Sequence, residues 1–202
     1  MQRLTERIME QAGRMPEGAP IVAKGLLHLG SRTAVDQALS RLAKRGGLMR
    51  AGRGLYLRPI ESRFGVGAPA EEKVVEAVAA QRGETVVPNG VASANALGLT
   101  TQVPVRSVYL TSGPSRKLRL GRQVVEFTHA PRWQLALPNR PAGAAVRALA
   151  WLGPAKASEA LRALRKVLRP ADLAELRALI AANPTALFGG YFQPFMAPML
   201  PV

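Results

Sequence analysis

Ser31-Arg32-Thr33-Ala34-Val35-Asp36-Gln37-Ala38-Leu39-Ser40-Arg41-Leu42-Ala43-Lys44-Arg45, followed by Gly46-Gly47, decides how this chain is read. Val35, Leu39 and Leu42 recur at i, i+4 and i+7, flanked by Ala34 and Ala38, so the stretch predicts a helix from about Arg32 to Arg45 with one apolar stripe. Ser31 is a good N-cap, and the glycine pair stops the helix. At ~100° per residue, Thr33, Gln37, Ser40 and Lys44 project from the opposite side, with Arg41 beside them and Asp36 at the margin. Such side chains can hydrogen-bond base edges and phosphates in a major groove. Arg32, in the first turn beside the exposed helix N-terminus, is placed for a phosphate. Taken alone, the row reads equally as the solvated face of a structural helix. What surrounds it favours a recognition helix.

Upstream, Leu4, Ile8, Met9 and Ala12 sit at helical spacing, with Gly13 the expected end. Pro16-Glu17-Gly18-Ala19-Pro20 is a turn cluster, and a short apolar helix is expected over Val22 to Leu29 before Gly30 breaks it. Downstream, Leu48 to Ala51 and Leu55 to Arg58 are strand-like and flank Gly52-Arg53-Gly54, which predicts a β-hairpin. Three helices and a hairpin in this order over residues 1–60 predict a winged helix-turn-helix, a DNA-binding domain. Arg53 then stands at the tip of the wing between Arg50 and Arg58, where it can enter a minor groove or grip phosphate; Gly-Arg-Gly also simply supplies turn conformations. The candidate DNA-binding set is Ser31, Arg32, Thr33, Gln37, Ser40, Arg41, Lys44, Arg45 and Arg53.

The composition agrees. The chain has 202 residues, with 28 Lys plus Arg against 13 Asp plus Glu, a formal charge of +15. Such an excess points to a polyanionic partner, most often nucleic acid, with a solubility surplus or an anionic membrane surface as the other readings. There is no cysteine, which excludes disulfides, Cys-ligated metals and cysteine nucleophiles. The two histidines, His28 and His129, cannot make a multi-histidine metal site and read as structural or surface residues. The first residues carry charge where a signal peptide needs an apolar core, and the uncharged stretch from Ala178 to Val202 contains four prolines, so a membrane helix is not expected. A cytoplasmic protein without metal or cofactor is the expectation.

Residues 61–71, broken by Gly65, Gly67 and Pro69, read as a linker that could be cut with little exposure of core. Residues 72–202 read as a C-terminal domain of helices around a small antiparallel sheet, making the whole an α+β chain. Its expected helices are Glu72 to Gln81, Val91 to Leu97, Ala145 to Leu152, Ser158 to Leu168 and Asp172 to Ala182. Its expected strands, Ser107 to Thr111, Lys117 to Leu120 and Gln123 to Thr128, suit an antiparallel meander. Gly113-Pro114-Ser115-Arg116 lacks the Gly-Lys of a phosphate loop and reads as a tight hairpin turn. Arg162, Arg165, Lys166 and Arg169 lie opposite Leu161, Leu164 and Leu168, either as a solvated face or as a surface for an RNA-handling or acidic partner. No G-x-S-x-G, Walker loop or suggestive carboxylate pair appears, so catalysis is not expected. Phe188, Tyr191, Phe192, Phe195, Met196 and Met199 crowd the end of the chain, either folding back onto the core or offering a docking patch.

Three runs together carry a family resemblance. Ser31 to Leu42 with Arg53-Gly54-Leu55-Tyr56, then Asn95-Ala96-Leu97-Gly98-Leu99-Thr100-Thr101-Gln102-Val103-Pro104, then Tyr109-Leu110-Thr111-Ser112-Gly113-Pro114-Ser115-Arg116, resemble AbiEi-type antitoxins, including their short DUF6088 branch. The resemblance spans nearly the whole chain, and the last two runs are its specific part. It implies a two-domain antitoxin of a toxin–antitoxin system. The N-terminal domain would bind inverted repeats in its own promoter and repress the operon. The C-terminal domain would counter a cognate toxin resembling a nucleotidyltransferase, by residues the resemblance does not assign. The alternatives are a stand-alone winged-helix transcription factor with a ligand- or protein-sensing second domain, and an RNA-processing enzyme.

Overall fold

The computed structural model describes residues 3–63 and 65–183. The aromatic C-terminus singled out above lies outside the described residues. Within them the chain is mixed α+β with small antiparallel sheets and divides into two units.

The first helix, α1 (Leu4–Arg14), buries Ile8 and Ala12, and Glu6 accepts a hydrogen bond from the Arg3 N–H at its start (2.9 Å). It runs through Gly13, the expected stop, and ends at Met15 (φ −78°, ψ 148°). Met15 precedes Pro16, and the proline ring forces its neighbour into extended backbone. Ile21–Val22 form strand β1, and only Ala23–Leu29 is helical, as a 3-10 helix. The helix expected over Val22 to Leu29 is thus shortened at its start, because Ile21 and Val22 pair with Tyr56 and Leu55.

Next comes α2 (Arg32–Lys44). Ser31 Oγ accepts from the Ala34 N–H (3.3 Å), and Val35, Ala38, Leu39 and Leu42 are buried. Gly46 ends it in the left-handed region (φ 78°). Strands β2 (Met49–Gly52) and β3 (Leu55–Leu57) pair antiparallel around Arg53-Gly54, with a bulge at Ala51, and the sheet order is β1-β3-β2. Ile8, Ile21, Leu26, Val35, Leu39 and Tyr56 belong to one shared core.

The expected linker is partly regular. Ile60–Ser62 (β4) and Gly65–Gly67 (β5) form a small hairpin, and α3 (Glu71–Arg82) follows at once. Helix α3 is held to the turn cluster of residues 16–20. Glu17 accepts from the Ala70 N–H (3.2 Å) and pairs with Lys73, and Gln81 donates to the Pro20 carbonyl (3.3 Å). A Cβ at Gly18 would lie 2.8 Å from the Lys73 carbonyl carbon, so only glycine permits this approach.

Strand β6 (Val86–Pro88) leads through the cap Asn89 into α4 (Gly90–Ala96), and then to β7 (Ser107–Thr111), which pairs with β6 in the register Val87↔Leu110. Strands β8 (Arg116–Leu120) and β9 (Gln123–His129) close around Gly121-Arg122, and the order is β6-β7-β9-β8. The expected meander is therefore corrected: β7 neighbours β9, not β8. Ser112–Ser115 is a stepping connection instead of a tight hairpin turn. Its hydroxyls hold it, Thr111 accepting from the Gly113 N–H (3.0 Å) and Ser115 from the His129 N–H (2.9 Å).

A four-residue helix, α5 (Arg132–Leu135), precedes α6 (Pro141–Leu152), α7 (Pro154–Val167) and α8 (Pro170–Ala182). The last three each begin two to four residues before the expected start, with proline at the first position. Proline needs no partner for an N–H there, and its fixed φ suits the first turn. Their core includes Val146, Leu149, Leu161, Leu164, Leu176 and Ile180.

The division into units is not the one the sequence suggests. Among the described residues, the first unit comprises 3–63, 65–84 and 116–126, and the second comprises 85–115 and 127–183. Helix α3, β8 and the start of β9, all expected in the C-terminal domain, belong with the N-terminal elements.

Candidate nucleic-acid interface

The apolar stripe of α2 fixes its rotation. With Val35 and Leu39 fully buried, the turns of the helix carry Thr33, Gln37, Arg41 and Lys44 outward, all exposed, with Ser40 half-buried. The predicted row is thus one continuous face. The turn ahead of α2 is anchored by Arg7, whose guanidinium donates to the Leu29 carbonyl (3.3 Å).

Two of the expected residues already have other work. Ser31 spends its hydroxyl as acceptor on the helix N-cap. Arg32 donates through Nε to Asp36 at 2.7 Å, the two side chains being 64% and 48% exposed. An exposed i,i+4 pair is worth only about 0.3–0.5 kcal/mol, and basic-before-acidic is the weaker order on a helix. A phosphate at the α2 N-terminus can therefore take Arg32 from Asp36 at small cost. Lys44 and Arg45, both exposed, end the helix where its dipole favours cations.

Arg53 is exposed at the β2–β3 turn, beside Gly54 in the left-handed region (φ 66°). Arg50 is exposed on β2, while Arg58 is half-buried. Helix α2 and strand β3 share one core through Val35, Leu39 and Tyr56, which fixes the helix against the base of this hairpin.

Sequence reasoning missed that β8 belongs to this unit and lies beside β2. A Cβ at Gly52 would sit 3.5 Å from Leu118 Cδ2. The only local hint is the alternation Lys117-Leu118-Arg119-Leu120, which marks one inward face without saying what it packs on.

In the second unit, Asn95 pins the loop that carries Leu97 to Pro104: its Nδ2 donates to the carbonyls of Thr100 (3.3 Å) and Gln102 (3.1 Å). Val103 and Val105 stand 75% and 100% exposed. Arg147 is buried and donates to Ser93 Oγ (3.4 Å) and to the Gln134 carbonyl (3.2 Å); burial pulls its pKa down to about 10, so it keeps its charge at neutral pH. His129 Nδ1 lies 3.0 Å from the Gly113 carbonyl, and His28 is exposed. Arg162, Arg165 and Lys166 are exposed along α7. Among the described residues no group of three or more His, Asp or Glu could hold a metal ion, and no helix is long and apolar enough to cross a membrane.

Residues 7–176 match the model of a family described as "Family of unknown function (DUF6088)". The match covers most of the chain, which therefore belongs to that family. No curated protein and no solved structure matches it.

Proposed function

We propose that this DUF6088 member is a sequence-specific DNA-binding regulator whose first unit works as a winged helix, with α2 as the recognition helix and the β2–β3 hairpin as the wing. One observation carries the reading: the exposed row Thr33, Gln37, Arg41 and Lys44 lies on a helix whose opposite face is locked into the core, with Arg53 at an adjoining hairpin tip. A helix held in this way can offer donors and acceptors to base edges, while the basic residues around it meet phosphates. The row fits Gln37 and Arg41 for base edges, and Arg32, Lys44, Arg45 and Arg53 for the backbone.

The cellular role we propose is antitoxin and autorepressor in a toxin–antitoxin pair, binding inverted repeats upstream of its own gene and countering a nucleotidyltransferase-like toxin. The support is the resemblance of Leu97 to Pro104 and Tyr109 to Arg116 to AbiEi-type antitoxins. Catalysis by the chain forms no part of this role.

The test is binding to the DNA upstream of the gene. Arg41→Ala or Gln37→Ala is expected to cost ~1–3 kcal/mol on that duplex and much less on random DNA. Equal loss on both duplexes would reduce these residues to phosphate contacts, and unchanged binding would remove α2 as the reader. Growth of cells expressing the adjoining toxin with and without this chain tests the antitoxin role. No rescue with operator binding intact would leave a plain transcription factor.

A further inference from the structure

The β8–β9 hairpin, most of which belongs to the first unit, is not used by the winged-helix reading, and it is strongly basic. Of its four basic residues, two are engaged: Arg116 pairs with Glu84 (2.6 Å) and Lys117 with Glu126 (3.0 Å). Leu118, Leu120 and Val125 are buried on one face of the hairpin. Arg119 is exposed between the two buried leucines, and Arg122 is exposed at the turn beside Gly121, which is in the left-handed region (φ 65°). Neither arginine has an acidic partner among the described residues.

This hairpin lies against the wing. A Cβ on Gly52, the residue before Arg53, would be in ordinary contact with this hairpin, 3.5 Å from Leu118 Cδ2 and 4.0 Å from the Lys117 carbonyl oxygen. Arg50 and Arg53 are exposed on one hairpin, and Arg119 and Arg122 on its neighbour. Placing like charges on touching elements costs self-repulsion over a screening length of about 8 Å. No acidic residue intervenes between Gly46 and Ile60, and Glu126, the one acid on the second hairpin, is spent on Lys117. A polyanion lying across both hairpins relieves that repulsion.

We infer that the β8–β9 hairpin is a second arm for the DNA backbone, with Arg119 and Arg122 contacting phosphates beside those met by the wing. This rests on the DNA-binding reading above. It extends the contact surface to residues more than sixty positions beyond the wing in the sequence, and it assigns them a sequence-independent role.

The experiment uses the full chain, the double variant Arg119→Ala/Arg122→Ala, Arg53→Ala as comparison, and two duplexes of equal length: the DNA upstream of the gene and a random sequence. Each lost phosphate contact flattens the slope of log affinity against log salt by about 0.9, so two contacts flatten it by nearly two. Taking the electrostatic part to vanish near 1 M salt, affinity at physiological salt falls about 30-fold on both duplexes. Arg122→Gln, which keeps a long polar side chain at the turn, guards against a folding artefact and is expected to give about half the change in slope, with an unchanged melting temperature. Unchanged slope and affinity in the double variant, while Arg53→Ala still weakens binding, would overturn the second arm and leave the winged helix standing. Loss on the upstream duplex alone would also overturn it, since phosphate contacts do not discriminate sequence. Failure of the unaltered chain to bind either duplex would overturn both readings.

Discussion

Two glycines in helical segments predict opposite signs for the same substitution. Gly143 lies in α6, and a Cβ built on it would fall 2.2 Å from the Leu137 carbonyl oxygen and 2.6 Å from that of Ala136. Gly13 lies in α1, and a Cβ there meets nothing within 4 Å. Helix propensity favours alanine over glycine by about 0.8–1 kcal/mol at either site. At Gly13 that is the whole effect, so Gly13→Ala is expected to stabilise the first unit by about 0.5–1 kcal/mol. At Gly143 the gain is opposed by overpacking, which costs typically about 1–3 kcal/mol. The obstructing atoms are backbone, which cannot rotate aside as a side chain can. Leu137 already holds a left-handed conformation (φ 47°), itself worth roughly 1–2 kcal/mol of strain. The segment has little freedom left, so the cost falls at the upper end of that range and Gly143→Ala is expected to destabilise by about 1–2 kcal/mol net. For a unit of this size 1 kcal/mol corresponds to roughly 4–8 °C. Thermal unfolding followed by circular dichroism and calorimetry resolves both shifts, and two transitions are expected from two units. A Gly143→Ala variant that melts higher than the parent would refute the packing argument.

Ser31→Ala removes the acceptor for the Ala34 N–H and is expected to cost about 1 kcal/mol of stability, read by denaturant titration; on the proposed DNA-binding role it also weakens binding to the upstream duplex as the first turn of α2 frays. The Asp172 carboxyl is held below its ordinary pKa, chiefly by hydrogen bonds from Arg169 (2.8 and 3.3 Å) against the opposing effect of burial. A depressed carboxyl adds stability that is complete above its unfolded pKa and is lost as pH falls through the folded one, so the melting temperature drops below about pH 4. Asp172→Asn lowers the melting temperature at neutral pH and flattens that acid limb; an unchanged acid limb would place the loss elsewhere. A fragment of residues 1–60 lacks α3 and the β8–β9 hairpin and is expected to melt well below the first transition of the full chain, with increased binding of a hydrophobic dye. Equal melting temperatures would show that residues 71–84 and 116–126 add nothing to that unit.

What was legible in the sequence was local and periodic. Val35, Leu39 and Leu42 give a helix and its buried side at once, and Ser31 and Gly46 give its ends, because cap, stripe and stop lie within sixteen residues. The polar face of α2 follows from that stripe with no further information. The hairpin tip is equally local, since Gly54 supplies the left-handed turn beside Arg53. Apolar periodicity alone places the starts of α6, α7 and α8 two to four residues late. Pro141, Pro154 and Pro170 look like breakers but occupy the first position, where the missing N–H costs nothing.

The non-local part was not legible. Nothing in Lys117-Leu118-Arg119-Leu120 says that Leu118 will lie against Gly52, and nothing in Gly18 says that its missing Cβ admits the backbone of Lys73 and Val74. A glycine in a turn cluster signals its own φ, and Gly18 does use a positive one (80°), but its second role depends on a helix more than fifty residues later. The Gly- and Pro-rich composition of residues 61–71 reads as slack between domains, whereas Glu17 holds Ala70 near its end and Lys73 just beyond it. Glu17 is itself informative: its carboxyl is pulled below the ordinary value first by the hydrogen bond from Lys73 and then by the Ala70 N–H, the mark of a tethered segment. A charge count by sequence position assigns Arg119 and Arg122 to a C-terminal domain, whereas a count by packed unit sets them beside the β2–β3 hairpin. For the DNA-binding role proposed above, the second count decides which residues would meet the polyanion.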